Sequence, residues 1–344
     1  MQLKTRVTTG FLRAIRIGAL AALPLLAHCQ GWLDKSSWQL DRTTSEDFNP
    51  GTTPAILAPR WDLQLPGGAE VSESNSKMYF EPYVTRDNIY VANGCVYLNT
   101  YKYAAPIYHA NDRNYHYATS FLRTRHDDFP TISPPNDTTK GGMLYGMFEV
   151  RCKLPSGSGQ YPSFWLAGNN AWPPEVDVFE FNGNHPTTFF STAHWPNPAF
   201  AEGLAISRDS SRGKTFRYAR KKYLTKKFHT WTLVWTPTEL AWFLDGKNIY
   251  VDTVKAHIPG AATPTANPYE VCKYRKMDVI LNSILNYPDS TVTAFEPLVI
   301  DYVRVYRPVG FVPYVPGQPL EEYYGRLQAL YRKTPYQAKR RARP

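Results

Sequence analysis

The sequence predicts an all-β protein: an antiparallel β-sandwich of jelly-roll type with a concave cleft on one face. Three observations lead there. Short runs of alternating apolar and polar residues recur through the middle of the chain, Pro- and Gly-rich clusters such as SPPNDTTKGG, LPSGSGQYP and NNAWPP separate them, and a helical period emerges only near the carboxyl terminus. With 344 residues, 43% of them hydrophobic, the chain can bury one large core, or at most the cores of two small domains.

The first residues, MQLKTRVTTGFLRAIRIGALAALPLLAHCQG, place Lys4, Arg6, Arg13 and Arg16 ahead of an apolar run from Ile17 to Ala27. That pattern is a secretory signal, too short and too basic in front for an ordinary membrane span. Residues 1–29 are therefore expected to be a leader, and the working protein to be secreted or held at a bacterial cell envelope. Leu26-Ala27-His28-Cys29 resembles a lipoprotein box in which His28 replaces the usual small residue, which makes Cys29 a candidate lipid anchor. Cleavage after Cys29, with Ala27 at the minus-three position, fits as well. Without Cys29, only Cys95, Cys152 and Cys272 are left, enough for at most one internal disulfide.

The strands follow in order. In YGMFEVRCKLP, Phe148, Val150, Cys152 and Leu154 alternate with Glu149, Arg151 and Lys153, as in a half-buried strand. FHTWTLVW and ELAWFLDGKNIYV form a pair joined at Thr236-Pro237-Thr238, with Asp245-Gly246 as a second, tight turn. MDVILNSIL and PLVIDYVRVY are two further apolar, β-branched runs. Then Leu320, Tyr324, Leu327 and Tyr331 recur at helical spacing. Residues 30–308 are expected to form the sandwich and 309–344 a basic tail with one short amphipathic helix, its stripe docked on the domain and its last residues mobile.

Locating the charge removes a nucleic-acid reading. Of the formal +10, the leader supplies four positive charges and residues 309–344 an excess of five, so the stretch between carries only about +1. The expected working domain is nearly neutral, and a basic tail is ordinarily a solvated end. No nucleic-acid partner is expected, and a monomer is.

PPEVDVFEF gathers three carboxylates in an apolar strand. Glu175 and Asp177 share one face while Val176 and Val178 point the other way. Strict alternation would bury Glu180 with the valines as an unpaired charge, which is costly. One extra residue at Val178-Phe179, accommodated as a β-bulge, returns Glu180 to the face of Glu175 and Asp177. Two glutamates on one face suit a retaining glycosidase, in which one carboxylate attacks the anomeric carbon and another, about 5–5.5 Å away, protonates the departing oxygen. Asp177, shorter and between them, would hydrogen-bond the nucleophile and keep the acid/base partner protonated by its like charge.

EVDVFE matches the E-x-D-x-x-E signature of glycoside hydrolase family 16, in the bulged branch that includes laminarinases, agarases and carrageenases. YGMFEVRCKLPSGSGQYPSFWLAG, FHTWTLVWTPTELAWFLDG and PLVIDYVRVYRP resemble further strands of that family in order, covering roughly residues 140–308, with a weaker match around Trp61. The resemblance implies a jelly-roll sandwich with Glu175 as nucleophile, Asp177 as assisting carboxylate and Glu180 as acid/base. It implies a polysaccharide substrate and no required cofactor. A structural calcium ion is common in the family, but no ligand cluster here is specific enough to assign one, so no metal residue is named. The family's glucanases usually place Gly before the first glutamate and Met before the last, where this chain has Pro174 and Phe179.

Each remaining candidate has a bland reading beside the functional one. Taken alone, E-x-D-x-x-E also describes a solvated acidic edge. Trp165, Trp172 and Trp195 could be core, the common fate of tryptophan. Trp172 precedes the acidic strand in a polar stretch and Trp195 follows His194, so both suit sugar stacking, while Trp165 fits either place. His194 is a structural histidine or a cleft residue, favoured as the latter by the family's His-Trp segment. Asn282 could hydrogen-bond sugar hydroxyls or cap a sheet edge. His109, His116 and His126 lack metal-ligand spacing and read as surface or structural.

Three classes of function are compatible. An endo-acting hydrolase of β-1,3- or mixed β-1,3/1,4-glucan explains the signal, the carboxylates and the aromatics together, and an agarase- or carrageenase-like galactan hydrolase is its nearest alternative. A transglycosylase shares the same covalent intermediate. A noncatalytic carbohydrate-binding sandwich explains the aromatics but gives no reason for paired glutamates across a bulge.

Overall fold

The structure, a computed structural model, describes residues 32–57, 60–63, 78–80, 88–109, 113–124, 142–168, 174–196, 211–219, 222–253, 276–286, 291–292, 294–315 and 317–338. The leader with Cys29, and also Trp172 and Cys272, lie outside the described residues. Gly31 to Pro344 is one compact unit.

Among the described residues the alternating runs assemble into two large sheets. The first runs Gln337–Ala338, Trp32–Leu33, Lys247–Thr253, Glu239–Leu244, His229–Trp235, Gly146–Lys153, Leu298–Pro308, Cys95–Leu98, Ile89–Ala92. The second runs Ser211–Ala219, Thr188–Pro196, Glu175–Phe181, Gln160–Gly168, Met277–Leu285, Arg113–Thr124, Trp61–Asp62. Neighbours along both orders are antiparallel, as the expected sandwich requires.

The predicted strands occur where the alternation placed them. Phe148, Val150 and Cys152 are buried, but Glu149 is buried too, at 2% exposure. Its carboxylate is compensated by Lys35 Nζ at 2.5 Å, Thr232 Oγ1 at 3.1 Å and Tyr302 Oη at 3.0 Å, as a buried charge must be. Asp245 and Gly246 adopt φ of 51° and 74°, the left-handed pair of a tight hairpin turn, which lets Leu244 face Lys247 across the ladder. Cys95 and Cys152 are buried free thiols.

One core lies between the sheets. Phe164, Leu166, Val176, Val178, Phe179 and Phe181 of the second sheet pack with Trp231, Leu233, Trp242 and Phe243 of the first. Alternate residues on the second sheet point away from this core, and that outer face carries the acidic side chains. On it, Arg123 and Asp278 form a buried ion pair with the guanidinium Nε 2.8 Å from Oδ2.

The segment after Pro308 packs closely on the first sheet. The helix Leu320–Lys333 buries Tyr324, Leu327 and Tyr331, the last with its ring edge-on to Trp38 and Tyr145. Glu321 and Glu322 sit in its first turn and Arg332 and Lys333 in its last, each sign complementing the helix dipole. Beyond it, Tyr336 Oη donates to Glu239 Oε1 at 2.5 Å, and Gln337–Ala338 adds an edge strand beside Trp32–Leu33.

Candidate active site

The acidic strand Glu175–Phe181 lies between Gln160–Gly168 and Thr188–Pro196. Toward the first, Trp165 faces Asp177 and Phe164 faces Phe179, so Val178 has no opposite residue. Toward the second, Asp177 faces Thr192 and Glu180 faces Phe190, leaving Val178 and Phe179 to share the place of Ser191. This is the bulge that the three carboxylates required. Val178 and Phe179 both enter the core, Phe179 with its ring centroid 4.8 Å from that of Trp231. Glu180 thereby returns to the outer face with Glu175 and Asp177.

Two side chains satisfy carbonyls at the bulge. Trp242 Nε1, reaching across from the other sheet, donates to the Asp177 carbonyl at 3.1 Å, and Ser191 Oγ donates to that of Val178 at 2.8 Å. Trp242→Phe removes the first donor from a carbonyl of a buried residue. Its expected cost is about 1–3 kcal/mol, read from denaturant unfolding. A variant as stable as the parent would mean that the bulge does not depend on this bond.

Burial dominates the electrostatics. Asp177 is 3% exposed, and its carboxyl is pushed well above the usual carboxylate range by desolvation first, then by the charges of Glu175 and Glu180 and a hydrogen bond with Glu175. Glu180 is also raised. Its cause is desolvation, which hydrogen bonds from Tyr161 and Thr192 partly offset. Burial is thus the leading cause at both Asp177 and Glu180, and the like charges crowded on this face add to it, with Asp177 the most enclosed of the three.

A raised folded-state pKa has a definite sign in stability. The folded chain binds the Asp177 proton more tightly than the unfolded chain, so stability falls as pH climbs from the unfolded value of about 3.9 through the raised folded value. Asp177→Asn removes that titration. The variant is expected to gain thermal stability relative to the parent at about pH 8 and not at about pH 3, while losing activity. Scanning calorimetry at the two pH values checks this, and an equal effect at both would contradict it.

The other predicted residues are placed as follows. His194 faces Glu175 across the ladder, with Nε2 3.8 Å from both Glu175 Oε1 and Asp177 Oδ2, and burial lowers its pKa, which favours the neutral ring. Trp165 lies on the same outer face, half-buried against Phe121 and Ile280, and its Nε1 donates to Asn282 Oδ1 at 2.6 Å. Asn282 is 2% exposed in mid-sheet, not at a sheet edge, and its Nδ2 has no partner among the described residues. Trp195 lies in the strand Thr188–Pro196, with its side chain outside the described residues.

Donor atoms of Glu175, Asp177 and His194 lie within 4.8 Å of one another. Sequence reasoning missed Tyr161, whose Oη lies 3.2 Å from Glu180 Oε1, and Thr192. Counting back by twos from Trp165 would have put Tyr161 on the outer face. Nothing local marks Trp242, which acts from the opposite sheet.

The sequence pattern of "Glycosyl hydrolases family 16" matches residues 77–273, more than half of the chain and including the whole acidic strand. The chain belongs to glycoside hydrolase family 16. Within family 16, it is 24% identical over 284 residues to the endo-1,3-1,4-beta-glycanase EglC of Rhizobium meliloti, covering 80% of this chain and 53% of that protein. It is 29% identical over 178 residues to a beta-glucanase of Rhodothermus marinus, covering 49% of this chain and 59% of that one. The chain thus spans about half the length of the curated relatives it matches. The laminarinase catalytic domain of Thermotoga maritima MSB8 shares its fold, with a TM-score of 0.56 at 24% identity over 79% of this chain and 98% of that one.

Proposed function

We propose that this family 16 chain is a secreted, retaining endo-glycoside hydrolase acting on a neutral β-linked glucan with 1,3 or mixed 1,3/1,4 linkages. The observation that carries the reading is the bulge, which turns Glu175, Asp177 and Glu180 to one face while burying Val178 and Phe179.

Glu175, half-buried and hydrogen-bonded by Asp177, is the attacking carboxylate. A proton held on Asp177 serves this role, because it is donated to Glu175 and leaves the charge on the nucleophile. Glu180, whose hold on its proton burial strengthens, delivers that proton to the departing glycosidic oxygen as the bond from that oxygen to the anomeric carbon breaks. The resulting Glu180 carboxylate then takes a proton from water, which attacks the anomeric carbon and releases Glu175. Both roles are filled by side chains, so the chemistry needs no cofactor.

The glucanase activity named for the Rhodothermus marinus relative supports a glucan, and the near-neutral composition outside the two ends speaks against a densely sulfated galactan. Half-buried Trp165, braced by Asn282, is assigned to sugar contact beside the carboxylates. The deciding experiment is reducing-sugar release from laminarin, lichenan, agarose and carrageenan, with the anomer first formed followed by proton NMR. Release from laminarin or lichenan with retained configuration is expected. Release from agarose or carrageenan alone would overturn the substrate, and an inverted first product would overturn the mechanism.

A further inference from the structure

We infer that Tyr161 is a positioning residue for the acid step: its phenolic hydroxyl, donated to Glu180 Oε1, orients that carboxyl and binds it more strongly as its proton leaves. The inference rests on the assignment of Glu180 as acid/base. Tyr161 lies near the start of the strand Gln160–Gly168, two residues before Ser163, which faces Glu180 directly, so it reaches Glu180 along the diagonal of the ladder. Its Oη lies 3.2 Å from Glu180 Oε1. Burial and the adjacent acids push its own pKa far above that of an ordinary phenol, so the hydroxyl keeps its proton at every pH where the enzyme would work.

The bond changes character during the reaction. While Glu180 holds its proton, Tyr161 donates to a neutral carboxyl. When that proton moves to the glycosidic oxygen, and the electron pair of the breaking bond goes to the same oxygen, Glu180 becomes a carboxylate and the bond becomes charge-assisted. Such bonds are about twice as strong as neutral ones. An interaction that strengthens on the way to the transition state accelerates the step, whereas one of constant strength would not.

Several charged or titratable groups share this face. Glu175 and Asp177 lie on Glu180's own strand, His194 lies on the next, and Arg217 lies beyond it, opposite Phe190. Among these, Tyr161 donates a hydrogen bond directly to Glu180, and Thr192 is the other hydroxyl that does so.

The test is Tyr161→Phe, which keeps the ring and removes the donor. On an unactivated β-linked oligosaccharide, kcat/KM is expected to fall about tenfold, equivalent to 1.36 kcal/mol. On the 2,4-dinitrophenyl glycoside of the same sugar, whose leaving group needs no proton, the expected fall is under about twofold. The alkaline limb of the pH profile should also move upward, because loss of the donor disfavours the Glu180 carboxylate. Equal losses on both substrates, or an unmoved alkaline limb, would mean that Tyr161 only packs. Carbon NMR of labelled glutamate in both proteins gives a readout independent of turnover. If neither protein hydrolyses any β-glycan yet the Glu180 titration still moves upward in the variant, the proposed function fails and the hydrogen-bond role stands. If the parent is active and the titration does not move, the inference alone fails.

Discussion

Glu175→Ala is expected to lose several orders of magnitude in turnover on the best β-glucan while keeping its fold. Glu175 lies on the outer face of the second sheet, away from the core that holds the sandwich together. The missing carboxylate leaves a space beside the anomeric carbon that a small anion can enter. Added azide should therefore restore turnover and yield a glycosyl azide of inverted configuration, since a single displacement replaces two. Glu180→Ala should lose about 10²–10⁴-fold, the range for removing an acid/base group, with the larger losses on substrates whose leaving group needs protonation. Azide there should give the retained product instead, because the covalent intermediate still forms on Glu175. Near-normal turnover by both variants would remove the assignment, and exchanged azide stereochemistry would exchange the two roles.

Deleting Val178 is expected to be at least as damaging as either substitution, through a different cause. Val178 is the residue without a partner on the Gln160–Gly168 side, so its loss makes the strand regular. A regular strand cannot place Glu175 and Glu180 on one face, because side chains alternate with a period of two. Either Glu180 turns into the core as an unpaired charge, or Glu175 and Asp177 do. The carbonyl contacts from Trp242 and Ser191 lose their geometry as well. Activity should fall to the level of Glu180→Ala or below, accompanied by a lower unfolding midpoint in denaturant. A deletion variant that folds and stays active would show that Glu180 is not the acid.

Much of the fold was legible because strand formation in this chain follows a local pattern. Gly146–Lys153, His229–Trp235, Met277–Leu285 and Leu298–Pro308 occur where apolar residues alternate or run β-branched, and the Asp245-Gly246 turn carries the two positive φ angles its composition favours. The alternation misplaced Glu149. The compensation for burying it comes from Lys35 and Tyr302, residues distant in sequence, and no window around Glu149 contains them. Asn282 is a similar case. Its mid-sheet place and its bond to Trp165 depend on which strand lies beside Met277–Leu285.

The sequence by itself determined the alternating strands, the helical stripe and the need for a bulge, since Glu180 five positions after Glu175 allows no regular strand to serve both. Period and composition are properties of neighbouring residues, and they survive without knowledge of the partners. Only the tertiary structure decided how the bulge is held and how the acids are tuned. Trp242 comes from the opposite sheet to donate to the Asp177 carbonyl, and Tyr161 and Thr192 come from the two flanking strands to engage Glu180. Burial, the dominant influence on the pKa of both Asp177 and Glu180, is a sum over everything packed around a group, and no stretch of sequence states it.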